Sequence, residues 1–89
     1  QNDTGNKHSP TVICAAITSK MNKAKLPTHI ALAAQGSGLP RDSVILLEQI
    51  RTLDKKRLRE RMGRVDSAVM EKVDAAIAVS FGLTGSHLV

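Results

Sequence analysis

The pattern of apolar and polar residues in this chain changes character once, near residue 66. Before that point the apolar runs are short and rich in β-branched residues. Thr11 to Thr18 (Thr-Val-Ile-Cys-Ala-Ala-Ile-Thr) is the first such run. Val12, Cys14, Ala16 and Thr18 share one face of a strand, and Ile13, Ala15 and Ile17 share the other. Both faces are apolar, which predicts a central strand. Thr18 is the first polar side chain on its face, where the strand reaches the surface. Thr28 to Ala34 alternates weakly and predicts a second strand. Ser43 to Leu53 predicts a third. Its first half is a dense apolar run, and its second half holds Glu48, Gln49 and Arg51. Strongly polar residues in a buried strand are paired or functional; periodicity alone reads these as the far end of a strand emerging into solvent. With an unbroken pleat Glu48 and Gln49 point opposite ways, and a bulge would change that.

The joining segments read as loops. Residues 1–10 are polar and turn-forming, Ser19 to Pro27 is polar with a basic edge, and Gln35-Gly36-Ser37-Gly38-Leu39-Pro40 is rich in glycine. That glycine-rich loop lacks the Gly-Lys-Ser/Thr ending and following helix of a phosphate cradle. Leu58, Met62 and Val65 recur at helical spacing, whereas Gly63 and dense positive charge oppose a long helix. A turn of helix followed by a short strand is the alternative. From Asp66 the period is helical: Asp66 caps, Val65 and Met70 are spaced as a hydrophobic staple, and Val69, Val73, Ala76 or Ile77, and Ser80 or Phe81 make a stripe. Met70 and Phe81 read as core contacts, Gly82 supplies the stop, and Thr84 to Val89 reads as a loose tail. The order is strands and then one amphipathic helix, which predicts a small, mainly β barrel or sheet with a helix packed on it.

Composition narrows the function classes. A chain of 89 residues is one domain with a modest core. A single cysteine excludes an internal disulfide framework and leaves Cys14 as a small core residue of a cytosolic protein. No stretch is long and apolar enough to span a membrane, and no secretory signal pattern is present. The formal charge is +5, and Arg51, Lys55, Lys56, Arg57, Arg59, Arg61 and Arg64 crowd one segment. Such clustering suits nucleic acid, although a solvated surface is its commoner meaning. Phe81 is the only aromatic residue, so stacking on bases is poorly served.

His8, His29, His87 and Cys14 have no zinc-site spacing, and neither a Gly-x-Ser-x-Gly motif nor a distinct carboxylate pair occurs. The remaining candidates are polar residues at strand ends: Asn2, Thr18, His29, Glu48, Gln49 and Arg51. Cleavage of RNA through its own 2′-hydroxyl needs little more than a proton acceptor, a proton donor and positive charge.

Several ordered motifs resemble the MazF/PemK toxins. They are Gln1-Asn2-Asp3-Thr4-Gly5-Asn6 with Ser9-Pro10-Thr11, then Ala15-Ala16-Ile17-Thr18, then Lys23-Ala24-Lys25-Leu26-Pro27-Thr28-His29. The strongest match runs from Asp42 through Leu47-Glu48-Gln49-Ile50-Arg51 to Lys55, and Met70-Glu71-Lys72-Val73-Asp74 is also similar. The resemblance covers nearly the whole chain and is closest to the MazF branch of Gram-positive bacteria. It implies a single domain over 1–89 with an SH3-like barrel and a C-terminal helix. It implies a cytoplasmic bacterial homodimer that cleaves single-stranded mRNA without metal or other cofactor, leaving 2′,3′-cyclic phosphate and 5′-hydroxyl ends. The implied partners are a cognate antitoxin, whose extended segment occupies the RNA groove, and operator DNA for the toxin–antitoxin complex only. Thr18 matches the catalytic threonine; Asn2, Pro27, Glu48 and Gln49 match RNA-contacting positions. Leu58 to Arg64 becomes a short strand on this reading.

Departures from the family pattern are His8 where an aromatic is usual, Cys14 where a valine is usual, and the Gly85-Ser86-His87-Leu88-Val89 tail. The family's first strand, the loop after it and the Arg-Pro start of the next strand have no counterpart among these residues, and the catalytic arginine belongs to them. A non-catalytic module that binds antitoxin or RNA is the alternative. A gyrase poison of the same barrel is disfavoured, because such toxins need a Trp-Gly-Ile-like end and this chain has no tryptophan. Losing one charge-stabilising group lowers a rate by about 10²–10³. The 89-residue chain alone is therefore expected to leave a mixed single-stranded RNA intact in EDTA on a sequencing gel; efficient cleavage at a fixed short motif would contradict this.

Overall fold

The structure is a computed structural model that describes residues 2–21 and 24–83. Its elements are a short helix α1 (Asp3–His8), strands β1 (Thr11–Thr18), β2 (His29–Leu32) and β3 (Ser43–Asp54), a single 3₁₀ turn (Lys55–Arg57) and helix α2 (Ser67–Ser80). The three strands form one antiparallel sheet in the order β1-β3-β2.

β3 is the centre of the sheet, and β1, expected to be central, lies at an edge among the described residues. Two apolar faces on β1 do not fix strand order. Ile13 and Ile17 each stay 48% exposed, and Cys14, expected in the core, is half-buried. The first half of β3 is the buried heart of the molecule: Val44 and Leu47 are its largest fully buried side chains. Leu47, Ile45 and Leu32 pack with Val73 and Ala76 of α2, with Ala15, Ile30, Ile50, Val65 and Val69 around them. Fully burying a side chain of this size contributes about 1.5–3 kcal/mol.

The third strand is not evenly pleated. Ala15 pairs with Ile50 and its neighbour Ala16 pairs with Leu46, so Leu47, Glu48 and Gln49 are extra on β3. Residues directly opposite in an antiparallel pair share a face. One step along β1 changes face, whereas four steps along a regular β3 would not. The break therefore flips the pleat. Ile50 joins Ala15 and Leu47 in the core, and Arg51 falls opposite Cys14 on the other side.

The termini of the helices are set locally. Residues 2–9, expected as loop, contain α1, because the Asn2 Oδ1 accepts from the Gly5 backbone N–H at 2.7 Å, with Asp3 in the first turn and Lys7 and His8 in the last. Asp66 caps α2 by accepting from the Val69 N–H at 2.9 Å. At the other end Leu83 N–H bonds Ala78 C=O and Gly82 N–H bonds Val79 C=O, with Gly82 at φ 69°, which is a Schellman stop. Phe81 is 61% exposed and Met70 42%, so neither is the buried core contact that spacing suggested. The expected loose tail, Thr84 to Val89, lies outside the described residues.

Of the turn of helix and short strand that Asp54 to Val65 suggested, the turn forms at Lys55–Arg57, whereas residues 58–64 form neither strand nor helix. They are held by a backbone crossing. A Cβ on Gly38 would lie 2.0 Å from the Met62 carbonyl oxygen, and one on Gly63 would lie 1.8 Å from that of Ser37. Two glycines let the segment run against the 36–39 loop, and this contact overrides the periodicity of Leu58, Met62 and Val65. Gly36 and Gly38 have nearly equal positive φ, but only Gly38 is crowded. Gly36→Ala is expected to cost about 1–2 kcal/mol from φ alone. Gly38→Ala should cost more, since backbone must also move; urea midpoints in the order wild type, Gly36→Ala, Gly38→Ala check this, and equal midpoints for the two variants would contradict it.

Candidate functional site

The pleat break in β3 gathers polar side chains from three chain segments. Leu26 to His29 is a tight turn closed by the His29 N–H to the Leu26 carbonyl at 2.9 Å, with exposed Pro27 at the position that its fixed φ suits. Leu47 N–H then bonds the Thr28 carbonyl at 2.8 Å, which continues the β2–β3 ladder as far as the break. Just beyond it, the Glu48 carboxylate receives two donors. Thr28 Oγ1 donates to Oε1 at 2.9 Å, and the His29 Nε2 lies 2.9 Å from Oε2.

The histidine's tautomer follows from its other nitrogen. His29 Nδ1 accepts from the Lys25 backbone N–H at 3.3 Å, so the ring proton resides on Nε2 and points at Glu48. His29 is buried while the Glu48 side chain is 35% exposed, so the carboxylate is anchored from inside and open outside. The His29 hydrogen bond and then Glu48's own backbone N–H hold the Glu48 carboxyl below its ordinary value; burial opposes them, and the Thr28 hydroxyl adds a smaller lowering effect. It is an ionised hydrogen-bond acceptor at neutral pH. Gln49, next along the break, is exposed, and its amide makes no hydrogen bond to the described residues.

Thr18 closes the far end of β1. It pairs with Val44, which pairs with Ala31 across the sheet, so Thr18 shares a face with Val44 and Ala31. Its Oγ1 accepts from the Lys20 N–H at 3.1 Å, leaving the hydroxyl hydrogen free to donate. From Val44 to Glu48 is four residues of β3, a span of about 13 Å when extended. Thr18 and the Glu48 cluster therefore lie on opposite sides of one strand, a short distance apart. The turn and the break bring Thr28 and His29 to Glu48, with exposed Pro27 and Gln49 next to them in the chain. Asn2 is not brought there: it is occupied as the cap of α1, which leads into the Thr11 end of β1, opposite to Thr18. Sequence reasoning missed Thr28 and the anchoring role of His29. The only signal was a Thr-His pair at the start of a strand, and its partner is 19 to 20 residues away. Among the described residues no three His, Cys, Asp or Glu side chains converge to hold a metal ion.

A family model described as "PemK-like, MazF-like toxin of type II toxin-antitoxin system" matches residues 1–81. The chain belongs to that family. Solved structures agree on the MazF fold. The chain is similar to the Mycobacterium tuberculosis toxin MazF-mt6, with TM-score 0.83 and 23% identity over 94% of this chain and 82% of that one. It is similar to an endoribonuclease from a mycobacterial species solved in complex with its cognate antitoxin, with TM-score 0.83 and 27% identity over 97% and 79% of the two chains. A chain of a MazE–MazF crystal structure from Deinococcus radiodurans superposes with TM-score 0.75 and 21% identity over 91% of this chain and 78% of that one. A mainly β sheet with a C-terminal helix matches the MazF/PemK fold; the strand pattern predicted the sheet and helix, and the motif resemblance predicted the family.

In this MazF-like domain the Glu48 cluster links acidity to stability. Its folded pKa lies below the ordinary 4.5, so its contribution is complete above that value and is lost as pH falls through the folded pKa. Glu48→Gln is expected to lower stability at pH 7 and to remove part of the acid sensitivity. The gap in urea midpoint between wild type and Glu48→Gln should close as pH falls below 4.5. A gap that stays constant to low pH would show that the carboxylate's hydrogen bonds do not stabilise the fold.

Proposed function

We propose that this domain engages single-stranded RNA as part of a metal-independent endoribonuclease toxin. The observation that carries the reading is the Glu48 carboxylate, fixed by Thr28 and His29 yet open to solvent, beside an uncommitted Gln49 amide. An ionised carboxylate anchored on its inner side is an acceptor for the exocyclic amine of an unstacked base. The Gln49 amide offers donors and an acceptor to the same base or its neighbour. Thr18 then takes the scissile phosphate: its hydroxyl donates to a phosphate oxygen while the substrate's 2′-oxygen, giving up its proton to water, bonds to phosphorus, and the P–O5′ bond breaks with the 5′-oxygen taking a proton from water. The products are a 2′,3′-cyclic phosphate and a 5′-hydroxyl. Pro27 extends this surface in the proposal, whereas Asn2, matched to an RNA-contacting position by resemblance, lies apart from it as the cap of α1.

The toxin acts as a homodimer and is held in check by a cognate antitoxin on this reading. The charge of +5 suits an acidic antitoxin segment as well as RNA. A second reading, a module that captures antitoxin without cutting RNA, draws on one specific feature. An apolar groove of about 310 Å³ runs between the sheet and α2, lined by Ile13, Ile45, Ile50, Met70, Ile77 and Phe81 among others. Patches of this kind mark protein contact.

Fluorescence anisotropy with a labelled, mixed-sequence single-stranded RNA in EDTA tests the first reading. The chain should bind, and Gln49→Ala should weaken binding about 2–10-fold, the worth of one hydrogen bond. No binding at low salt, together with capture of the cognate antitoxin in a pull-down, would favour the second reading instead.

A further inference from the structure

Arg51 is the polar residue of β3 that the Glu48 cluster does not use. The flip of the pleat puts it opposite Cys14, on the side of the sheet away from the packed core. There it lines a cleft of about 250 Å³ with Arg57, from the 3₁₀ turn, over a floor of Cys14, Ala15, Ala16 and Leu53. Among the described residues no carboxylate lines this cleft. The nearest acid in sequence, Asp54, is engaged in capping the 3₁₀ turn, where its Oδ1 accepts from the Lys56 N–H at 2.9 Å. Neither guanidinium makes an ion pair or a side-chain hydrogen bond to the described residues.

Two uncommitted guanidiniums over a small neutral floor suit an oxyanion, which each can grip with paired N–H donors, and beside the proposed RNA surface that oxyanion is a backbone phosphate. The cleft also borders the proposed RNA surface. Its floor residues Ala15 and Ala16 are the pair that faces the extra Leu47, Glu48 and Gln49 of β3. Cys14, Ala16 and Thr18 follow one another along one face of β1, spanning about 13 Å.

We propose that Arg51 and Arg57 form a phosphate subsite for the RNA strand, next to the bases read at Glu48 and Gln49. This rests on the reading of the domain as a binder of single-stranded RNA. The subsite holds backbone and reads no base, so it adds affinity without sequence preference. It also gives Arg51 a role that the family resemblance left unassigned.

The test is the salt dependence of RNA binding by the 89-residue chain. Each phosphate contact on a single strand contributes about 0.7 to the slope of log affinity against log salt. Arg51→Gln with Arg57→Gln should reduce the slope by about 1.4 and weaken binding about 25-fold at 0.1 M salt. Arg59→Gln with Arg61→Gln removes the same charge outside the cleft and should change the slope much less. All four residues are exposed, so the variants keep the fold, and circular dichroism checks this. Cys14, the only cysteine and part of the cleft floor, supplies a local readout: bound RNA should slow its alkylation in wild type and not in the cleft variant. Equal slopes for the two double variants, with wild-type RNA binding intact and sensitive to Gln49→Ala, would overturn the subsite alone. Absence of any RNA binding by wild type would overturn the underlying reading and the subsite with it. A slope change seen only with duplex DNA would overturn the assignment to an RNA strand.

Discussion

The arrangement depends on the break of pleat in β3, where Leu47, Glu48 and Gln49 stand opposite a single step of β1. Before the break, Val44 to Leu47 fill the core on both faces; after it, Ile50 can still reach α2 while Arg51 is turned away. A regular pleat would instead align Arg51 with Ile45 and Leu47, against the helix. Burying an unpaired guanidinium there would cost several kcal/mol or more, on the order of the domain's whole stability. The same break that protects the core exposes the carboxylate and the amide. Packing and the candidate site are therefore consequences of one local irregularity.

The break is held from the β2 side. The Leu26–His29 turn hands Thr28 and His29 to Glu48, and His29 is in turn oriented by the Lys25 backbone. A carboxylate with two donors on its inner side keeps its charge at neutral pH and its place on the surface. Around it the chain is basic, with unpaired guanidiniums on the neighbouring face. Positive charge of that density raises the encounter rate with a polyanion, and the fixed acidic group then acts only at contact range. In the proposed RNA complex arginines would supply affinity, and the Glu48–Gln49 pair would discriminate between bases.

What the sequence disclosed follows from how local each feature is. Asp66 and Gly82 bounded α2 correctly because a cap and a left-handed stop act within one turn. The apolar run at Ser43–Leu47 marked β3 and its buried end for the same reason. Pairing was harder. Nothing in the alternation of β3 announces a flipped pleat, since either face assignment leaves apolar residues on both sides. The Glu48–His29 contact joins residues 19 apart, and a single sequence carries no trace of such a pair. The Leu58, Met62, Val65 spacing misled because the Gly38–Gly63 crossing, a tertiary contact, sets that backbone. Family resemblance carried the fold, and the Asn2 cap that makes α1 a helix lies in a stretch whose polar, turn-forming residues read as loop.

The central claim is that the two sides of the pleat break form one RNA-contacting surface. Amide chemical shifts of the ¹⁵N-labelled chain, followed on adding a short single-stranded RNA, test it most directly. The account predicts perturbations concentrated at Thr18, at Thr28 to Ile30 and from Glu48 to Arg51, with α2 unaffected. Perturbations confined to α2 and the Ile13 side of its groove, with those residues silent, would contradict it.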